Sequence, residues 1–535
     1  MGHHAPKELT EMDTVVLGDR AWPWRRNLLI AGGVGLLLAV LASTMVEGGF
    51  RRLGFAYLIA FSFALAIALG SLFFVIITTL FRAGWCVAFR RVPETLAVNM
   101  PTVGVLAIPV LIMAFFGGAD SYIYPWSQDG IFAEGKKQAE HNERDADHGG
   151  EDGHGEDDHD HDHADHAALP ELAIQLVAAE ADHDDHDHHG DDHGHAEADS
   201  DHDGHHAADG EHHGDGHHAW THTAEIYPDH SHATPYFVYK KGLWFTPAFF
   251  SVRVIFYFAV WSLIGWYFWN RSVRQDADGD VEHTNRREWW APLSVIAFAL
   301  TVTSASFDLI MSLDPVWYST MFGVYFFAGA FTSAICVMII TLMLGQRAGL
   351  FPAITTEHLH DLGKLLFAFV FFWGYVGFSQ FMLIWYASLP ETTYWWELRG
   401  VTSISGNAAV DTPATFGGPW TVIAWTLLFA HLLLPFAILL SRHVKRNRTA
   451  LFTMACWMLT LCYVDLYWVT MPVLSSPDLY FGLPEIGCVV FCVGVMLAEA
   501  LRRASAHSLT AHRDPRLHES LALDTSAWAP IHHSH

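Results

Sequence analysis

Basic residues, paired cysteines and intramembrane histidines are what this chain has least of. Residues 141–232 hold one base against 28 acids, and that segment alone accounts for the net charge of −27. The remainder balances at 29 acids and 29 bases, so no basic face of the kind that follows a nucleic-acid backbone is present. The six cysteines, at 86, 336, 456, 462, 488 and 492, form no CxxC and no CxxCH. Neither an iron–sulfur cluster nor a c-type haem finds its ligands here. Cys488 and Cys492, four apart on an expected helix, read as small packing residues rather than a redox pair. The first 27 residues carry four bases and four acids without a cleavable signal pattern, so the first apolar run is expected to stay as an anchor. His431 is the only histidine well inside any apolar run, whereas a b-type haem commonly takes two.

Apolar length is abundant. The chain is 51% hydrophobic and 14% aromatic over 535 residues, the composition of a membrane protein. Ten runs are long enough to cross a bilayer, near 28–46, 53–80, 96–116, 247–269, 290–311, 319–344, 362–386, 419–440, 450–470 and 484–502. The expected organisation is an N-terminal segment 1–27, spans 1–3 over 28–116, a long connection 117–246, spans 4–10 over 247–503, and a tail 504–535. Lysine and arginine in the connections number 19 on the side of both termini and eight on the other, so the termini are expected to be cytoplasmic and 117–246 external.

A short repeat accompanies this pattern. Asp308-Leu309 precedes Pro315 as Asp465-Leu466 precedes Pro472, an offset of 157 residues. Arg82-Ala83-Gly84 recurs as Arg347-Ala348-Gly349 at an offset of 265, which becomes 157 when roughly 108 residues of the insertion are discounted. Spans 2–5 and 6–9 are therefore expected to be paired four-helix units, leaving two additional helices.

The insertion at 141–232 holds 23 of the 36 histidines among Asp, Glu and Gly. Apart from 166–181, a candidate amphipathic helix, it lacks the apolar residues for a core and is expected to be disordered. Imidazole with carboxylate suits Zn²⁺, Ni²⁺ or Cu²⁺, so a metal-gathering loop feeding a transporter is one reading. A solvated insertion with incidental metal affinity is the other. Transport would require ligands within the spans, and spans 4 and 5 contain no histidine, which favours the second reading.

An ionisable group inside a span costs roughly 2.5–3.5 kcal/mol on insertion scales and usually faces a partner or a water-filled path. Asp308, Asp465 and Glu485 fall toward the expected outer leaflet, and Lys364, Glu499 and Glu94 toward the inner one, an arrangement that could form two proton half-paths. Arg253 lies within span 4. Glu94, Glu485 and Glu499, close to span ends, read as structural charges. The deeper, repeated Asp308 and Asp465 are the stronger proton carriers, and Asp308→Asn is expected to preserve assembly while altering proton movement or turnover. His358, His360 and Asp361 precede Lys364 at spacings that allow a shared helix face, either a proton entry point or a polar helix start. His431 stands four before Pro435, where a histidine commonly serves the carbonyl freed by the proline.

The stretches AGWCVAFRRVPE (83–94), SLDPVWYSTMFGVYFFAGAF (312–331) and HDLGKLLFAFVFFWGYVGFSQFMLIWY (360–386), with the acidic His-rich loop, resemble the F subunit of bacterial alternative complex III. That subunit belongs with the NrfD/polysulfide-reductase type of membrane subunit. The resemblance covers nearly all of 28–503. It implies an all-α polytopic protein of ten helices in two four-helix bundles plus two, within a complex that oxidises quinol and reduces cytochrome c or a terminal oxidase in the bacterial cytoplasmic membrane. Haem c and iron–sulfur clusters would then lie in partner subunits, alongside a sister C subunit. Catalytic, cofactor and metal residues in this chain are expected to be none, and quinone binding stays open. The alternatives are a solitary divalent-metal or solute transporter, and a purely structural scaffold for redox partners.

Overall fold

A backbone amide inside hydrocarbon must bond within its own segment, which makes a helix the natural form of an isolated apolar run. The computed structural model describes residues 16–45, 48–115, 123–128, 130–148, 228–387, 389–400, 418–475 and 478–523. Among these it is helical and free of strands, apart from one isolated bridge between Val16 and Ser508. Among the described residues ten helices are long and apolar enough to cross a membrane, and the chain is a multi-pass membrane protein. They are span 1 (Gly18–Ser43), span 2 (Gly49–Leu80), span 3 (Arg91–Phe115), span 4 (Pro247–Asp278), span 5 (Glu282–Leu313), span 6 (Phe322–Arg347), span 7 (Thr356–Ala387), span 8 (Pro419–Leu440), span 9 (Arg448–Val473) and span 10 (Leu483–Ala506).

Ten spans are found among the described residues where ten are expected; most extend past the expected bounds at one or both ends, whereas span 6 begins three residues later and span 8 is unchanged. Span 1 opens at Gly18 rather than 28, because Pro23 in the first turn of Trp22–Ser43 is compatible with a helix start and long Arg25 and Arg26 side chains can reach the interface. The expected connection 270–289 is mostly helix, reduced to 279–281 between spans 4 and 5, where Gly279 adopts a left-handed φ of 75°. Two spans are interrupted. Span 3 comprises Arg91–Ala97, Met100–Leu106 and Ile108–Phe115, with Pro101 and Pro109 at the joins. Span 8 contains a π-helical segment, Leu427–Leu433, before Pro435.

The chain divides into two compact units, 1–132 with 237–535, and 133–236. The second includes most of the helix Ile131–His148 and part of Pro228–Lys240; the expected insertion and its 166–181 helix lie almost wholly outside the described residues. In the first unit, span 2 is apolar on all sides and almost wholly buried. It packs against spans 3, 5, 6, 9 and 10; span 4 packs on spans 3 and 5, and span 6 on spans 5, 7 and 9. Span 1 packs chiefly on span 10.

Small residues set these approaches, as expected where lipid supplies no hydrophobic drive between helices. A Cβ on Gly70 would lie 2.2 Å from the Ala330 carbonyl of span 6, and one on Gly487 would lie 2.2 Å from the Gly35 carbonyl of span 1. Gly33, one residue from Gly32 on the same span, meets nothing within 4 Å. Gly487→Leu should separate spans 1 and 10 and destabilise the chain by about 1–3 kcal/mol, the range for overpacking. Gly33→Leu should change the thermal midpoint in detergent little; equal midpoints for the two variants would contradict the packing.

Candidate functional site

The long ends of spans 3, 4 and 5 carry charges that lie against charges of opposite sign. At the end of the bundle where span 1 begins and span 10 ends, Glu94 accepts from Arg90 Nε at 2.9 Å, Arg91 Nη1 at 3.2 Å and Ser272 Oγ at 2.9 Å. Asp514, from the C-terminal tail, accepts from Arg90 Nη2 at 2.7 Å and Arg287 Nη2 at 3.1 Å. Arg91 also bonds Asp276. Three guanidinium groups thus meet three carboxylates. Burial raises the Asp514 carboxyl, but Arg90 and Arg287 outweigh it and hold the group well below the usual carboxylate range. The tail continues to Ser520, whose hydroxyl donates to the Trp85 carbonyl at 2.7 Å and meets His358 Nε2 at 3.0 Å. The backbone N–H of Thr355 donates to His358 Nδ1 at 3.1 Å, so that nitrogen accepts and Nε2 carries the proton.

The expected His358/His360/Asp361/Lys364 face is divided accordingly. His358 is fully buried against the tail, while Asp361 holds Lys364 at 2.5 Å with the lysine side chain 55% exposed. His360 lies 3.6 Å from Glu357, which pairs with Arg446 at 2.5 Å. Glu499 is engaged locally by Arg502 and Arg503. At the opposite end, Glu485 takes the Arg52 fork at 2.8 Å on each oxygen and caps span 10 through the Gly482 N–H at 2.7 Å.

The two repeated aspartates sit in different chemistry. Asp308 is 1% exposed and takes a bidentate bond from Arg253, with Nε and Nη2 each at 2.8 Å. Tyr257 Oη donates to the same carboxylate at 2.7 Å. The Arg253 guanidinium donates onward to the Trp244 carbonyl at 2.9 Å and lies 4.0 Å from the Trp244 ring centroid. Charge and lone pairs are satisfied together there.

Asp465 is 4% exposed and is held by neutral donors, the Tyr325 hydroxyl and Trp373 Nε1 at 3.1 Å. Among the described residues no lysine, arginine or histidine nitrogen lies within 4.0 Å of its carboxylate. Beside it is a cavity of about 10 Å³, room for one water centre, lined by Ala66, Tyr325, Gly329, Ser333, Cys462 and Asp465 among others. Trp373 stacks on His431 at 4.0 Å. His431 is completely buried, with Nε2 3.8 Å from Cys462 Sγ and Nδ1 without a partner. The expected bond from His431 to a proline-freed carbonyl is therefore not made; the π-helical turn accommodates Pro435 and leaves the imidazole facing spans 7 and 9.

Tyr325, Trp373, Arg90, Arg287 and Asp514 were not singled out by the sequence. The first two carry no charge to mark them within apolar helices, and Asp514 meets its partners more than 220 residues away. Among the described residues, no three or more His, Cys, Asp or Glu side chains converge as a metal site. Compared with protein-family models and with curated proteins, the chain matches none.

Two outcomes follow. Asp514→Asn should cost about 3–5 kcal/mol by leaving two buried arginines undercompensated. Because the folded carboxyl titrates below its ordinary value of about 3.9, its contribution is present above that value and lost as pH falls through the folded one. Thermal midpoints of wild type and variant should differ steadily from pH 8 to 5 and converge in strong acid; coincidence at pH 7 would exclude the network. Arg253→Met should be destabilising by a similar amount, about 3–5 kcal/mol, and Arg253→Met with Asp308→Asn should recover most of the loss in the same assay.

Proposed function

We propose that this chain is an integral subunit of a quinol-oxidising respiratory complex of the alternative complex III type, carrying no haem or iron–sulfur cluster itself and contributing a proton path. In this reading spans 2–5 and 6–9 are two four-helix bundles, and spans 1 and 10 are the additional pair. The protein lies in the bacterial cytoplasmic membrane with its termini cytoplasmic and the His-rich insertion external. Its partners are a sister C subunit, an iron–sulfur subunit and c-type cytochromes, with quinone and membrane lipid around them.

The observation that carries the proton-path part is the Asp465 site. A carboxylate buried without a cation can take up a proton without breaking an ion pair, and a water-sized cavity at its edge offers the next acceptor. Asp308 would first have to release Arg253 and Tyr257. Proton transfer is accordingly assigned to Asp465, with Tyr325 its direct donor and His431 behind Trp373. Asp308 holds spans 4 and 5 together, and the Lys364–Asp361 pair marks the opposite rim. The cavity beside Asp465 has room for a water and not for a quinone ring, so no step is assigned to quinone within it.

A solitary metal or solute transporter remains the alternative reading, and metal uptake by liposomes holding this chain alone would favour it. The respiratory reading expects the chain, isolated in mild detergent from its native membrane, to co-purify with haem absorbance and quinol oxidation; a colourless, solitary protein would overturn it. Within that complex, Asp465→Asn should lower proton-coupled turnover by on the order of tenfold to a hundredfold while assembly persists. Asp308→Asn should act mainly on assembly. Normal proton uptake and turnover in Asp465→Asn would remove Asp465 from the path.

A further inference from the structure

The link between spans 8 and 9 is the most cationic short stretch in the chain. Residues 441–449 contain Arg442, His443, Lys445, Arg446 and Arg448 and no acid. The facing start of span 7 supplies Glu357, which takes Arg446, and Asp361, which takes Lys364. His360 lies between those two acids, 3.6 Å from Glu357 and 4.0 Å from Asp361. Among the described residues, Lys445, Arg442 and Arg448 have no carboxylate within 4.0 Å. With the histidines neutral, five cations face two acids, and three positive charges are uncompensated.

Lys445 differs from an ordinary charge at a membrane boundary. Its residue is only 8% exposed, and its stem fills a notch in span 7 at Gly363, where a Cβ would come within 3.3 Å of Lys445 Cγ. Its ammonium lies 5.0 Å from the Phe367 ring centroid. Burial, and then the charge of Lys364, push its pKa below the usual lysine range. Topology alone asks for a positive charge in the loop and is served equally by one free in water. A partly desolvated ammonium beside a second ammonium is instead stabilised by an anion.

An apolar wall continues from that ammonium. Phe367 stacks on Phe436 at 5.1 Å, Phe371 follows at 5.8 Å from Phe436, and Phe371 and Leu440 are 55% and 64% exposed. The site is thus positive at one end and apolar along the span 7–span 8 surface. A free phosphate would use only the first feature and a neutral lipid only the second. We propose that this groove holds an anionic phospholipid, its phosphate at Lys445 between Lys364 and the 441–449 link and its acyl chains against Phe367, Phe371 and Phe436. Basic pockets between membrane helices recognise such headgroups by the same charge pairing. The proposal is independent of the respiratory reading.

The test uses the full chain in mild detergent, incubated with equal amounts of phosphatidylglycerol and phosphatidylcholine and examined by native mass spectrometry. Phosphatidylglycerol should be retained preferentially, and Lys445→Gln should lower that retention about fivefold, the effect expected of one basic residue near a headgroup. Lys445→Arg should restore it, and Arg26→Gln, which removes an exposed cation at the same end of span 1, should leave it unchanged. Millimolar inorganic phosphate should not displace the lipid. Equal retention of both lipids, equal losses in Lys445→Gln and Arg26→Gln, or displacement by phosphate alone would each overturn the proposal.

Discussion

The cost of an uncompensated charge in a low-dielectric interior governs this structure. A carboxylate or guanidinium removed from water loses several kcal/mol that only a well-placed opposite charge and additional hydrogen bonds offset. Arg253 with Asp308, Arg52 with Glu485, and the three-by-three network around Glu94 and Asp514 each meet that condition with paired oxygens and nitrogens at bonding distance. These pairs also decide which helices are neighbours. Asp308 cannot be satisfied unless span 4 lies against span 5, and Asp514 draws the C-terminal tail across the ends of spans 3 and 5. Ion pairing here acts as much on register as on stability.

Packing supplies the complementary constraint. Helices in lipid gain from close approach rather than from hydrophobic exclusion, so Gly70 beneath Ala330 and Gly487 beneath Gly35 bring backbones nearer than any larger residue permits. The interruptions follow similar logic. Pro101 and Pro109 break span 3 where it packs beside spans 2 and 4, and the π-helical turn of span 8 rotates His431 inward ahead of Pro435. Ion pairs fix which spans meet, and small residues fix how closely.

The spans were legible because bilayer thickness imposes a length on apolar runs that composition alone reveals. Their ends were less so: Asp276 and Arg287 read as loop residues, yet they are helical, with Arg91 and Asp514 satisfying charges that water would otherwise claim. Asp308 and Asp465 stood out as costly residues, but their difference could not be read, since Arg253 is 55 residues from Asp308 and Tyr325 is 140 from Asp465. Sequence spacing identifies a buried charge far more readily than it identifies the partner. The tail contact of His358 with Ser520, 162 residues apart, was illegible for the same reason.

That difference gives the repeat its physical content. Two Asp-Leu elements with a proline at the same distance end spans 5 and 9, but only the first meets an arginine at bonding distance. A carboxylate locked to a guanidinium resists protonation, because the proton would strand a buried cation. One held by a phenol and an indole can change charge while both neighbours keep their chemistry, Tyr325 serving as donor to the anion or as acceptor from the acid. In the proposed reading, the arginine of one copy and the aromatic donors of the other separate two incompatible tasks, bracing a helix pair and exchanging a proton. Neither site could perform the other's task without replacing its partner, so the partner rather than the aspartate sets the role.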